Sequence, residues 1–305
     1  MQDPDPSFQP VAGTPEILSD GLRRILAPNP SPMTYKGTNT YILGERGLAV
    51  IDPGPNDAAH MAAILDAVRT GQKITHIFVT HAHLDHSPLA RPLSDHTGAP
   101  VYAMGDAYAG RSEMMQALAE TGLAGGGEGV DARFVPDECL PDLATVSGDG
   151  WALQTHYTPG HYGNHIALGW GDLAFTGDLV MSWASSLVSP PDGDLTDFMA
   201  SCRRMKLGKW RSFHTGHGRE VSTPNARLDW LINHRLGREA QIREALANGA
   251  ADADMLAQRI YHDVNPALLP AAARNVFAHL IDLTVRNLAR PVGPLSAKAV
   301  FEIAH

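Results

Sequence analysis

The stretch "HIFVTHAHLDHSPLA", residues 76–90, places three histidines and an aspartate within six positions, directly behind an apolar, β-branched run. The run "KITHIFVT", residues 73–80, reads as a buried strand. On an α-helix, His81 and His83 would point about 200° apart and could not hold one ion. In a loop at a strand end the same spacing puts both imidazoles on one side, whereas helical zinc sites need i, i+4. Asp85 and His86 follow past a turn and can face a second ion beside the first, so one loop can supply half of two metal sites.

Partners for such sites recur downstream. "HYTPGHYGNH" puts His161 after a Pro-Gly turn that follows a predicted strand. "LAFTGDLV" puts Asp178 after a strand and a glycine, and "RSFHTGHGRE" puts His217 between two glycines. Each residue alone is an ordinary turn or loop residue. Their order, each in a loop behind a strand, is what a bland reading does not explain.

At 305 residues the chain suits one large domain plus one small one. Its 44% hydrophobic content supports a packed core, and its net charge of -9 argues against holding nucleic acid by a broad basic surface. Cys139 and Cys202 are too few for a disulfide framework and lack C-x-x-C spacing, so both are expected as reduced, buried thiols. The start, "MQDPDPSFQPVAGTPE", has no secretory pattern and reads as an extended arm. No transmembrane segment is expected, so the protein is read as soluble and cytoplasmic, with no membrane partner.

"NTYILGERGLAVIDPGP" reads as a β-hairpin closed by a turn at Asp52 to Pro55. Helices are expected over 57–69, 87–97 and 105–121, a flexible glycine-rich loop over 123–130, and strands at 99–103, 152–157, 165–168 and 173–175. From Asn225 onward the chain reads as almost wholly helical. Asp254 is a plausible N-cap there, and Leu269, Ala272, Val276, Leu280 and Leu283 form an amphipathic stripe ahead of a strand-like tail. The expected organisation is an N-terminal arm with the first strands over 1–34, a catalytic domain over 35–224, and a small domain over 225–305.

Through "THAHLDH", "TPGH", "GDLV", "TGHG" and the opening hairpin, the sequence resembles the metallo-β-lactamase superfamily. That resemblance implies an α/β fold of the α+β kind, an αββα sandwich with metals at one edge of two packed sheets. It also implies a site for two divalent metal ions, zinc foremost and manganese or iron as further candidates. His81, His83 and His161 would hold the first, Asp85, His86 and His217 the second, and Asp178 would bridge. A water bridging two such ions ionises near neutral pH and can act as nucleophile, with Asp85 as the catalytic residue that orients it and passes a proton to the leaving group. True β-lactamases of the superfamily lack the bridging aspartate, which thioesterases, lactonases and nucleases carry, so β-lactamase activity is not expected. His156, His165 and His214 are expected beside the ligands rather than among them, and His262 and His305 have no claim.

The C-terminal part resembles the β-lactamase-like branch that appends a winged-helix domain. Some members of that branch cut single-stranded RNA, so the expected substrate is either a small-molecule ester, thioester or lactone, or single-stranded RNA. The domain is close to electrically neutral, which favours a packing or active-site-lining role. Two other classes remain open: a mononuclear iron enzyme like the persulfide dioxygenases, and a nucleic-acid-binding protein. Trp183 either walls the substrate cleft or packs beneath a loop. Oligomeric state is not legible.

Overall fold

The computed structural model describes residues 3–126, 129–262 and 265–304. A seven-stranded sheet runs in the order β1 (Glu16–Ser19), β2 (Leu22–Leu26), β3 (Asn39–Leu43), β4 (Gly47–Ile51), β5 (Lys73–Phe78), β6 (Val101–Ala103), β7 (Glu138–Cys139). It is antiparallel up to β4 and parallel from β4 onward. A five-stranded sheet faces it, built from β8 (Thr145–Ser147), β9 (Ala152–Tyr157), β10 (Ile166–Trp170), β11 (Leu173–Gly177) and β12 (Ser212–Thr215). Only β11 and β12 are parallel in that sheet.

The sandwich follows from strands buried on both faces. In β3, Tyr41 and Leu43 point between the sheets while Ile42 points outward; in β4, Ala49 and Ile51 point inward while Leu48 and Val50 point outward. In the second sheet Phe175 packs against the inter-sheet layer and Ala174 against the opposite one. Helices cover the outer faces: α1 (Ala58–Asp66) and α2 (Ala90–Thr97) lie over the first sheet, and α4 (Leu195–Lys206) over the second. The expected αββα layering is therefore present.

Helix α3 (Glu113–Glu120) packs elsewhere, placing Met115 and Leu118 in the apolar cluster of the C-terminal region. Helix α5 (Pro224–Ala247) links the two cores: Leu228 and Leu231 pack on α4, whereas Ile242 and Leu246 join α6 (Ala253–Ile260) and α7 (Leu269–Val285). The strands β13 (Ala289–Pro291) and β14 (Phe301–Ile303) pair antiparallel as a small wing. No described helix is long and apolar enough to cross a membrane.

Several local expectations need correction. The helix expected over 105–121 occupies only Glu113–Glu120, because Ser112 caps it and residues 105–111 use their backbone in turns and in a bond from Ala107 N to Phe134 O. The helix expected over 87–97 starts at Ala90, since Ser87 bonds back to His83 O, and the helix expected over 57–69 ends at Asp66. The cap of α6 is Asp252, which accepts from Met255 N; Asp254 sits in the first turn and pairs with Lys298 instead. Cys139 is exposed, because the two-residue β7 lies at the sheet edge, and only Cys202 is buried. The N-terminal arm does not stand free: Phe8 is buried, with Arg24 and Arg219 guanidinium groups against its ring. Of the glycine-rich loop, residues 127 and 128 lie outside the described residues, as does His305; Gly129 and Val130 pair with the histidine loop through Leu84 N to Gly129 O and a bridge to His83.

Gly160, immediately before His161, has φ +134°, and a Cβ there would collide with the backbone of Phe198 in the first turn of α4. Gly98, which ends α2 at φ +72°, faces open space. Gly98→Ala should therefore cost about 1 kcal/mol, the left-handed penalty alone. Gly160→Ala should cost at least about 2 kcal/mol more, because the loop must move off α4. Urea unfolding midpoints of the two variants check this; equal midpoints would mean that the approach to α4 carries no strain.

Candidate metal centre

Every residue singled out for chemistry lies just past the carboxyl end of a strand, on one edge of the sandwich. His81, His83, Asp85 and His86 follow β5, His161 follows β9, Asp178 follows β11 and His217 follows β12. The strand directions bring those ends to the same edge, since β4 and β5 are parallel, as are β11 and β12, while β10 runs antiparallel to both β9 and β11. All seven residues are at most 7% exposed.

The structure brings the seven together in overlapping groups of donor atoms, each group close enough to share an ion. His83 Nδ1 lies 2.9 Å from His81 Nε2 and 3.1 Å from His161 Nε2. Beside this triad, Asp85 Oδ2 lies 3.3 Å from His86 Nε2 and 3.2 Å from His217 Nε2. Asp178 stands between the two sets: its Oδ2 is 3.3 Å from His217 and 3.6 Å from His161, and its Oδ1 is 3.5 Å from His86.

The far side of four of the five rings is held by a specific partner. His161 Nδ1 donates to Leu187 O at 2.7 Å, and His217 Nδ1 to Gly37 O at 3.2 Å. Asp52 does more. Its carboxylate accepts from Thr80 N, from the Thr80 hydroxyl at 2.8 Å and from His86 Nδ1 at 2.9 Å. The Thr80 hydroxyl oxygen in turn accepts from His81 Nδ1 at 3.0 Å. One carboxylate thus fixes the tautomer of a histidine from each set, leaving both Nε2 atoms turned inward. Asp52 has φ +50°, a conformation that aspartate tolerates better than most residues. In sequence it looks only like the end of a hairpin, and its role was missed; the signal available was an acid in the turn after a buried strand.

Of the neighbouring histidines, His165 supports the centre. Its Nδ1 donates to the Thr158 hydroxyl at 2.9 Å and its Nε2 accepts from Asp178 N at 3.2 Å, which holds the backbone of Asp178 in place. His156 packs against Trp210, and His214 sits among Tyr41 and Phe175 between the sheets. His262 is exposed and outside the cluster.

Burial pushes the His81 and His161 imidazoles down and holds His83 at about 3, so their lone pairs are available. In the second set burial is outweighed. Asp178 and Asp85 lift His217 to about 10 and raise His86 well above the usual range, while the imidazoles keep both carboxyls ionised. Three inward-facing neutral imidazoles and a buried carboxylate oxygen, Asp178 Oδ1, without a hydrogen-bond donor fit a cation. The residues present therefore suit metal ions.

A cavity of about 220 Å³ opens above the cluster. Its floor includes His83, Asp85, His161, Asp178 and His217, and its walls come from four pieces of chain: Pro32 and Met33, the loop over 181–187, Tyr261 at the end of α6, and α7 with the turn before it. Trp183 lines this cavity and also packs on Tyr35 at 5.0 Å between ring centroids. Tyr35 in turn stacks on the buried Phe8 of the N-terminal arm.

A family model described as the metallo-beta-lactamase superfamily matches residues 33–220, and one described as the beta-lactamase associated winged helix domain matches residues 253–293. Among curated relatives, a beta-lactamase-like protein 2 homolog of Caenorhabditis elegans is 29% identical over 86% of this chain and 83% of its own length. An atrochrysone carboxyl ACP thioesterase of Aspergillus fumigatus is 26% identical over 76% of this chain and 67% of its own. A solved beta-lactamase domain protein from Burkholderia ambifaria superposes with a TM-score of 0.81, covering 99% of this chain and 96% of that one at 20% identity, which speaks to fold. With the strand-end cluster and the C-terminal match in place, the chain belongs to the metallo-β-lactamase superfamily of hydrolases and carries a winged-helix domain behind the catalytic fold.

Proposed function

We propose that the protein hydrolyses an acyl ester or thioester with two divalent metal ions, one held by His81, His83 and His161, the other by Asp85, His86 and His217, with Asp178 shared. The observation that carries this reading is the position of Asp178, whose carboxylate reaches both sets. Five imidazoles and two carboxylates suit zinc, manganese or iron. Ions bound there would acidify a coordinated water toward neutrality and polarise the oxygen of the scissile bond.

The chain's own residues then divide the remaining tasks. Asp85, with the Thr38 hydroxyl on its Oδ2 at 3.3 Å, faces the cavity and is placed to take a proton from the attacking water and return it to the leaving group. Asp52, Thr80, Leu187 O and Gly37 O keep the imidazoles from rotating. Trp183 and Met33 exclude bulk water from one side. The thioesterase named among the relatives supports an acyl rather than a phosphoryl substrate. Single-stranded RNA is the second reading, favoured by the winged-helix match.

The first test sets hydrolysis of thioesters and cleavage of labelled single-stranded RNA side by side, with protein of measured metal content. Two ions per chain with thioester turnover are expected; one iron per chain would retire the dinuclear reading, and metal-dependent RNA cleavage alone would retire the acyl one. Asp178→Ala should lower turnover at least about a hundredfold while leaving the fold intact by circular dichroism. Asp52→Asn, which never touches an ion, should weaken metal affinity about 10–100-fold, read by competition with a chelator.

The two ions should also differ in pH dependence. His86 and His217 carry protons in the metal-free protein at neutral pH, so an ion beside Asp85 must displace them, and its affinity should rise with pH toward about 10. His81, His83 and His161 are already neutral, so the other ion has no such proton to displace. Between pH 8 and pH 6 one ion should weaken by up to about a hundredfold per displaced proton while the other barely changes. Equilibrium dialysis at the two pH values decides; parallel losses would contradict the assignment.

A further inference from the structure

Above its floor the cavity is mostly apolar. Its walls include Met33, Trp183, Leu187, Tyr261, Leu268 and Ala271, with Ser185 and Asn275 as polar members, and none of the residues lining it is Lys or Arg. Nearby cations are committed elsewhere. Arg235 is buried behind the wall, donating to Asn275 Oδ1 at 2.8 Å and to Ser186 O. Arg274 turns to Ala124 O and the Ser189 hydroxyl, and Arg227 to Met181 O and Ala184 O. Lys36 pairs with Asp3. The ions of the proposed reading supply positive charge at the reacting bond, but beyond the floor the walls offer mostly apolar side chains and no Lys or Arg, which suits an apolar chain and gives a polyanionic one no partner there.

We infer that this cavity binds the acyl half of the substrate, a saturated apolar chain of about eight carbons, and that the turn before α7 and its first residues set the chain length accepted. The inference rests on the acyl reading above and adds the group recognised and the residues that select it. The volume of about 220 Å³, part of which the reacting group itself takes up, holds at most about seven groups of ~30 Å³ beyond the carbonyl carbon. Ala271 lies half-buried in the first turn of α7 and Leu268 closes the preceding turn, and both line the wall that the C-terminal region supplies, whereas the floor is made by strand-end loops. The catalytic edge is made by strand-end loops, while this selecting wall comes from the winged-helix domain; that domain thereby has a role that needs no basic face.

The experiment measures kcat/KM of metal-loaded protein for N-acetylcysteamine thioesters with acyl chains of 2, 4, 6, 8, 10 and 12 carbons, following the freed thiol. The expected profile rises about fourfold per methylene, equivalent to ~0.8 kcal/mol each, up to about eight carbons and then levels or falls. Ala271→Phe should fill the cavity at this wall and lower the octanoyl-to-acetyl ratio at least tenfold. Leu268→Ala should move the optimum to ten or twelve carbons, which keeps the idea exposed to failure even where the phenylalanine variant misfolds. Calorimetry of octanamide and butanamide on metal-free protein reads the same pocket without turnover, with octanamide expected to bind more than tenfold tighter. A flat length profile with active enzyme, or an unchanged octanoyl-to-acetyl ratio in folded Ala271→Phe, overturns the pocket assignment and leaves the hydrolase standing. Length-dependent amide binding with no thioester hydrolysed at any length overturns the acyl reading and, with it, the assignment of this ligand as substrate.

Discussion

The Asp52 carboxylate is the constraint on which the centre depends. A buried acid is costly unless its oxygens are saturated by donors, and here three are supplied by two residues of the next strand end and the loop beyond it: Thr80 by its amide and hydroxyl, His86 by its Nδ1. Through Thr80 the same carboxylate reaches His81. Because β4 and β5 are parallel neighbours, the turn carrying Asp52 and the loop carrying four of the seven side chains leave the sheet side by side. The hydrogen bonds then convert a backbone adjacency into fixed imidazole tautomers. A histidine that could present either nitrogen is a poor ligand; one whose outer nitrogen is already donating is a committed one.

The same reasoning explains how the fold carries the seven side chains on loops and still fixes where they point. The loops are short, and their far ends are pinned: the histidine loop by Gly129 and by Ser87, the His161 loop by Gly160 against α4, the His217 loop by Gly37 O. Behind them the inter-sheet layer of Tyr41, Phe78, Phe175 and Leu168 leaves no room for a strand to slip, because a shift of one residue would turn each inward side chain outward. Packing therefore sets the strand ends, and hydrogen bonding sets the side chains on them.

What could be read from the chain alone follows the range of the interactions involved. The H-x-H-x-D-H loop was legible because its chemistry and its strand are contiguous, and His161, Asp178 and His217 because each sits in a short turn behind a recognisable apolar run. The pairing of β3 and β4 was legible in the apolar runs of Tyr41 to Leu43 and Leu48 to Ile51 on either side of a glycine-containing turn. Asp52 was not, because its partners lie 28 and 34 positions away and its own surroundings look like an ordinary turn. Local competition misled the reading of α6 and α3: Asp254 was expected as the cap of α6, but Asp252 takes that place by accepting from Met255 N, and Asp254 pairs with Lys298. Residues 105–111 look helical until Phe134 claims the amide of Ala107.

The walls of the cleft were the least legible of all, since Met33, Trp183 and Ala271 meet only in the folded chain. Their arrangement separates two jobs that sequence motifs tend to merge. The strand-end edge with its seven side chains is set by strand ends and by carboxylates that hold the imidazoles, and a site of that kind does not by itself discriminate between one substrate and another. Discrimination needs surface that differs in shape and polarity a few ångströms away, and here that surface comes from an N-terminal segment braced by the stacked Phe8 and Tyr35, a loop held by Arg227, and a helix of the appended domain. Their side chains can change while the backbone groups that hold the imidazoles, Leu187 O among them, stay in place. A catalytic edge fixed by the core and a recognition wall fixed by peripheral elements can vary independently, and that independence is the physical basis on which one scaffold can serve different substrates.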